Sequence, residues 1–361
     1  MLTNPAPVII LSNYYTTWTP DDHAESQRLL QVMSDGLKAI GHRVEVVEFW
    51  KTTTHLLQPF SPEEWIVFNW CEGVEDEIGG DARICEELEQ KGYTYTGNSP
   101  YTLRLSVQKG KVKKLLQRHG IPTPAGRQFN SPDEVNSESW DNNLFPAIVK
   151  PVSQHCSVAV TRSAVVRNIG ELRDRVAYVV ETLKEPVIAE QFILGREINV
   201  SIWGNGRPQL LPLREIDFSR IPDPLHHIVT WDCKWVPDSP DWNSMPVITQ
   251  PQLSPHLRAG IEEVALKTYR ALRCRDYARV DLRISQDRQI WVVDVNPNPD
   301  LTPEGGFAGS CYAAGFTYAE AISHIVRMAV ARHNRRATLL RASRHSPRKT
   351  RTHSLITAQQ H

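Results

Sequence analysis

The chain has 361 residues, 40% hydrophobic and 23% charged, with a formal net charge of zero. That length exceeds one simple core and points to two or three structural units. No apolar run approaches the ~20 residues of a membrane helix, the N-terminus lacks the pattern of a secretory signal, and six scattered cysteines without a Cys-x-x-Cys pair argue against a zinc site or disulfide framework. A cytoplasmic protein without membrane partners is expected.

Residues 1–98 alternate strand and helix. Val8 to Leu11 reads as a strand, and Ala24 to Ile40 as a helix with one apolar face ended by Gly41. Val44 to Phe49 and Trp65 to Trp70 are further strands, and Asp81 to Lys91 is a helix closed by Gly92. This β-α-β order predicts a small parallel sheet. Residues 99–194 form a second, α+β unit. It has a helix over Val107 to His119, a stop at Gly120 to Pro124, a strand at Ala147 to Lys150 and a loop over Pro151 to Ser157. A strand (Val158 to Arg162), a helix (Gly170 to Leu183) and a strand (Val187 to Phe192) complete it.

Residues 195–331 form the third unit. It holds further strands, a proline-rich insertion (Ile221 to Pro255), a helix (His256 to Leu272), a hairpin and a last helix (Tyr318 to Val330). Beyond it, residues 332–361 carry Arg332, Arg335, Arg336, Arg341, Arg344, Arg348, Lys349 and Arg351 and no acid. With few large apolar residues, this tail reads as disordered and dispensable. The competing reading is a nucleic-acid or membrane-surface arm; a nucleic-acid partner is not expected. Truncation after Ala331 is expected to leave activity intact.

The hairpin is the most informative stretch. Ala278-Arg279-Val280-Asp281-Leu282-Arg283 and Trp291-Val292-Val293-Asp294-Val295-Asn296 read as strands joined by Ser285 to Arg288. Side chains two apart share a face, so Arg279 joins Asp281, and Asp294 joins Asn296. Cross-strand pairing brings the four together directly or diagonally. Two carboxylates and an amide oxygen are hard ligands for magnesium, and the guanidinium suits a phosphate. A solvated polar face is the bland alternative. Lys150 ends a buried strand, where a lysine needs an anionic partner or a route to solvent. Lys109 starts a lysine-rich helix together with Lys111, Lys113 and Lys114, a face that is usually solvated. Glu190 and Glu197 flank a strand-to-turn segment whose backbone could meet an adenine edge, or are surface glutamates around a turn.

In order and spacing these elements resemble the ATP-grasp superfamily, and within it the D-alanine–D-alanine ligase family, over about Phe68 to Ala329. The resemblance implies α/β and α+β units in a three-part architecture, with ATP between the central and C-terminal domains. It implies that Lys109 and Lys150 contact the α- and β-phosphates. Glu190 with the backbone of Gln191 and Ile193 would clamp adenine, and Glu197 would bind ribose. Lys234, followed by Trp235, would reach the γ-phosphate from a mobile loop. Arg279 would steady the transferred phosphate and the tetrahedral intermediate. Asp281, Asp294 and Asn296 would hold Mg2+, with Mn2+ as a substitute. Gly92-Tyr93-Thr94-Tyr95-Thr96-Gly97 resembles the segment ending the family's N-terminal domain. Family members are often homodimers.

Four departures stand out. The phosphate-covering loop, Gln154-His155-Cys156-Ser157-Val158-Ala159, lacks glycine, so Ser157 and His155 would serve as side-chain donors. The bridging ligand is the shorter Asp294. The N-terminal substrate segment is replaced by Leu11-Ser12-Asn13-Tyr14-Tyr15-Thr16, and the serine holding the amine substrate falls near Gly305 and Gly306. Asp300 stands where glycine is usual. The expected function is therefore an ATP-dependent carboxylate–amine ligase acting through an acylphosphate on small molecules other than two D-alanines. Alternatives are a true D-alanine–D-alanine ligase or a nucleotide-binding protein without ligase activity.

Overall fold

The computed structural model describes residues 2, 5–75, 77–153, 159–236, 239–242 and 244–345, with backbone alone for 234, 235 and 339–345. The first unit holds β1 (Val8–Asn13), α1 (Pro20–Ala39), β2 (Val44–Phe49), β3 (Ile66–Trp70), α2 (Gly80–Gln90) and β4 (Thr94–Tyr95). Its strands pair in parallel in the order β2-β1-β3-β4. β1 is apolar through Val8-Ile9-Ile10-Leu11 because both of its faces are covered. Val8 and Ile10 pack towards α1, while Ile9 and Leu11 pack towards α2.

The second unit holds α3 (Pro100–Ser106), α4 (Lys109–Arg118), β5 (Gly126–Phe129), β6 (Ala147–Pro151), β7 (Val165–Val166), α5 (Ile169–Leu183) and β8 (Val187–Gln191). Its sheet is antiparallel, in the order β5-β8-β6-β7. Two expectations need correction. The helix expected from Val107 starts at Lys109 as α4, because Val107 is the C-cap of α3, a short preceding helix that was not expected. The strand expected over Val158 to Arg162 is instead the two-residue β7, preceded by a 3-10 turn at Arg162–Ala164. Val158 itself lies outside the described residues. Alternation pins the sheet: Ala147, Val149, Val187 and Ala189 pack under α5, so Ile148, Lys150, Ile188 and Glu190 take the opposite face.

The third unit holds β9 (Gly195–Trp203), β10 (Gln209–Leu210), β11 (Arg214–Ile216), α6 (Trp231–Trp235), β12 (Val247–Thr249), α7 (Pro255–Ala271), β13 (Tyr277–Ser285), β14 (Ile290–Asn296), α8 (Gly306–Ala313) and α9 (Tyr318–His345). Its sheet runs β12-β11-β9-β13-β14, with β10 also on β9. Ile198, Val200 and Ile202 of β9 and Val280 and Leu282 of β13 face α7, which leaves Glu197, Asn199, Arg279, Asp281 and Arg283 on the other face. A register shift after Asp281 pairs Leu282 with Val292. Strict alternation would place Val292 on the face of Asp294. The bulge instead sends Val292 into the core and keeps the carboxylate on the polar side.

Gly195 joins the second unit to the third at φ 141°, and a Cβ there would lie 1.9 Å from the Ile284 carbonyl oxygen. Only glycine allows β9 to approach β13 at this junction.

The expected disordered tail from residue 332 is corrected. α9 continues to His345, and the residues beyond lie outside those described. Arg332 forms an ion pair with fully buried Asp276 and donates to the Tyr95 carbonyl. Asn334 bonds the Leu2 backbone in both directions, at 2.7 and 2.9 Å. α9 also places Ile322, Ile325, Val326 and Ala329 in the core shared with Val8, Ile10 and Phe68. Each such large side chain contributes about 1.5–3 kcal/mol when fully buried. The contacts of Arg332 and Asn334 therefore anchor the start of a segment whose composition is that of a free tail.

Candidate active site

The hairpin sets the geometry. Arg279 pairs directly with Asn296, and Asp281 with Asp294. Directly opposed residues share a face, so all four groups form one patch. Arg279 grips Asp281 with two parallel bonds, Nε to Oδ1 at 2.7 Å and Nη2 to Oδ2 at 2.8 Å. Asn199 on β9 donates to Asp281 Oδ1 at 2.9 Å. Asn296 Oδ1 accepts from the Asn298 amide at 2.9 Å, which fixes the turn that follows. Burial would lower the Arg279 pKa, but Asp281 first and then Asp294 outweigh it and hold the guanidinium above its ordinary value.

The opposing face comes from the second unit. Glu190 is 3% exposed and lies between two ammonium groups, Lys113 at 3.0 Å and Lys150 at 3.2 Å. Lys113 also donates to Thr123 Oγ1 at 3.0 Å. Lys109 donates to the Val152 carbonyl at 3.3 Å. A small cavity lined by Lys109, Lys113, Glu190 and Asp294 joins the two units. Burial pulls the Lys109 pKa down, and Asp294 only partly offsets it. Lys150 goes the other way: burial acts against its charge, but Glu190 and then Asp294 prevail and raise it.

Lys113 was not singled out from the sequence, because it sits in a run of lysines. The available signal was its place on α4. Lys109, Val112, Lys113 and Leu116 follow the i, i+3, i+4, i+7 spacing of one stripe, and Val112 and Leu116 are core residues. Arg283 is the second residue without an expected role. It is 4% exposed, pairs with Glu197 at 2.8 Å and donates to the Ile193 carbonyl at 3.3 Å and to the His227 carbonyl. It thus ties Glu197 to the segment after β8. There the Gln191 amide is already bonded to the Ala125 carbonyl at 2.8 Å.

The remaining expected positions are less complete. Lys234 lies in α6, but its side chain is outside the described atoms, and Ser157 is outside the described residues. Gly305 and Gly306 open α8. A Cβ at Gly305 would lie 2.8 Å from Asp300 Oδ2, and Asp300 Oδ1 accepts the Thr302 amide at 2.8 Å, so this carboxylate is folded into its own loop. Where the first unit departs from the family pattern, Ser12 and Asn13 border a cavity of about 200 Å³ lined also by Trp18, Trp70, Glu25 and Glu72. It opens at the C-terminal ends of the parallel strands β1 and β3, the usual ligand crevice of such sheets.

Glu190 gives a pH test. Burial would raise its pKa, but Lys113 and then Lys150 outweigh burial and hold it below the usual value. A depressed folded pKa stabilises fully above the unfolded value of about 4.3 and loses effect as pH falls through the folded value. Glu190→Gln should therefore cost about 3–5 kcal/mol near neutral pH, since it strands buried ammonium groups. In urea titrations the gap from the unmodified chain should narrow below pH ~4.3. A gap of constant size across pH would remove the charge as its cause.

Two units that bring lysines against a carboxylate in one cavity fit the class that the family match shows, an ATP-grasp ligase, an ATP-dependent enzyme that forms a carbon–nitrogen bond. The crystal structure of D-alanine–D-alanine ligase from Bacillus anthracis complexed with ATP has the same fold, with a TM-score of 0.71 at 22% identity over 92% of this chain and 100% of that one. The chain belongs to the D-alanine–D-alanine ligase family: the model described as D-ala D-ala ligase C-terminus matches residues 115–327. The uncharacterised protein y4sG of Sinorhizobium fredii is 29% identical over 308 residues, covering 84% of this chain and 87% of that protein. D-alanine–D-alanine ligases of Desulforudis audaxviator and Bordetella avium are 29% and 30% identical over 253 and 249 residues. They cover 70% and 67% of this chain, and 78% and 72% of their own lengths are matched.

Proposed function

We propose that this ligase activates a small carboxylate as an acylphosphate and joins it to a small amine, and that its substrates are not two D-alanines. A carboxylate is a poor electrophile because oxide would have to leave. Its oxygen attacks the γ-phosphorus of ATP, the bond to the β-phosphate oxygen breaks, and ADP departs. The amine nitrogen then attacks the acyl carbon, the bond to the phosphate oxygen breaks, and the amine proton is lost as the amide forms.

The observation that carries this reading is the cavity where Lys109 and Lys113 of one unit face Asp294 of the other, with Lys150 joined to the same cluster through Glu190, so that cations of one unit meet an oxygen ligand of the other. Lys109 and Lys150 would bind the polyphosphate, and Glu190, Gln191, Ile193 and Glu197 the nucleoside. Lys234 and Ser157 are proposed to complete the phosphate contacts. Asp281, Asp294 and Asn296 fit Mg2+ or Mn2+, because the donors are hard oxygens on one face and Asp281 keeps about one lone-pair site, on Oδ2, beyond the three bonds it accepts from Arg279 and Asn199. Bound there, the ion would supply charge neutralisation for phosphoryl transfer. Arg279, pre-aimed by Asp281, would stabilise the oxyanion that follows amine attack.

The cavity at Ser12 and Asn13 would take the rest of the carboxylate substrate, with Glu25 and Glu72 suited to an ammonium group. No described helix is long and apolar enough to cross a membrane. We place the enzyme in the cytoplasm, where ATP is available, and propose a homodimer, to be checked by sedimentation. The reaction is tested by ADP release over panels of acids and amines. Release should require one of each, and D-alanine alone should be inactive. ATP binding with no stimulation by any pair would overturn the ligase chemistry, and D-alanyl-D-alanine formation would overturn the substrate claim.

A further inference from the structure

One polar row crosses four strands of the large sheet. The register opposes Arg214 to Asn199, Asn199 to Asp281 and Asp281 to Asp294. Opposed residues share a face, so Arg214 stands on the reactive face. With strands ~4.8 Å apart, it lies about 10 Å from Asp281, beyond the place of the transferred phosphate.

The arginines on the neighbouring strands β9 and β13 hold carboxylates: Arg196 pairs with Glu215, Arg279 with Asp281 and Arg283 with Glu197. Arg214 pairs with no carboxylate among the described residues, and its buried Nε finds no hydrogen-bond partner there. Its Nη1 donates to the Gly306 carbonyl at 2.8 Å. A Cβ at Gly309 would come within 2.5 Å of Nη1 and 2.8 Å of Cζ, so the guanidinium lies flat on helix backbone that glycine leaves bare. A Cβ at Gly306 would be 3.5 Å from Arg214 Nη1 and 4.0 Å from Arg279 Nη1. Two guanidinium groups thus converge on one bare turn. Burial first, and the Arg279 charge second, disfavour the charged form of Arg214. An anion arriving between the two would relieve both.

We propose that Arg214 recognises a carboxylate on the amine substrate, so that the enzyme accepts amino acids and rejects amines without an acid group. This rests on the ligase reading above and adds the residue that decides the acceptor. A planar guanidinium meets a carboxylate through two parallel bonds. Gly306 and Gly309 leave room for the Arg214 guanidinium, and Arg279 stays with Asp281 and the acylphosphate. Arg214 is then a specificity-determining group in place of the hydroxyl expected near Gly305.

The test compares alanine, serine, aspartate and glutamate, each in both configurations, with their α-carboxamides. Calorimetric titration onto enzyme loaded with a non-hydrolysable ATP analogue measures binding, and ADP release measures turnover. The acids should bind at least tenfold more tightly than the amides. Arg214→Met should weaken the acids by roughly 10–100-fold while leaving the amides and the ATP analogue unchanged. Arg214→Lys should restore part of the preference and guards against a folding defect in the methionine variant. If no acid binds better than its amide, or if Arg214→Met weakens both alike, the proposal is wrong. Selective acid binding without ADP release would uphold Arg214 and strike the ligase reading alone.

Discussion

Lys150→Met should lower kcat/KM for ATP-dependent ADP release by about 10²–10³-fold, the usual loss when one charged donor to a reacting phosphate is removed. The same variant should unfold at nearly the concentration of urea that unfolds the parent. Lys150 shares Glu190 with Lys113, so deleting one ammonium still leaves the buried carboxylate paired at 3.0 Å. Methionine keeps the length and apolar stem of the lysine. The two measurements separate roles: a large fall in stability with the activity loss would make Lys150 a structural member of the cluster. Unchanged kcat/KM would remove it from phosphate binding.

A chain ending at Ala331 should lose about 3–5 kcal/mol of stability, the cost of stranding a buried ion-pair partner. Composition suggested the opposite, that everything past Ala331 is dispensable. Asp276 has no exposed surface and accepts from the Gly97 amide at 2.9 Å, from Asn205 at 2.7 Å and from Arg332. Truncation takes away the only cation in that set among the described residues. It also removes Asn334 from the Leu2 backbone and His333 from Thr94. A chain ending at His345 keeps all three and should unfold with the full-length protein in urea. Equal stability of the 331- and 345-residue chains would show that Asp276 tolerates isolation.

These cases mark what a sequence makes legible. The hairpin was readable because a period of two and a short polar turn leave little freedom in which side chains share a face. Arg279, Asp281, Asp294 and Asn296 meet as that arithmetic requires. Lys150 and Glu190 were visible as charges on apolar strands, although their pairing with each other was not. Lys113 was hidden because four lysines on one helix look alike until packing selects the one beside Val112. Arg332 was hidden because its partner Asp276 lies 56 positions away. Arg214 sits on a three-residue strand in an irregular region, too short for any periodicity to place it.

The packing of α9 has a consequence for synthesis. The strands that carry Val8, Ile10 and Phe68 share their core with Ile322, Ile325 and Val326, which are translated much later than those strands. The β1–β4 unit, covered on this side by Leu30, Met33 and Leu37 of α1, therefore completes its core only once α9 has been synthesised.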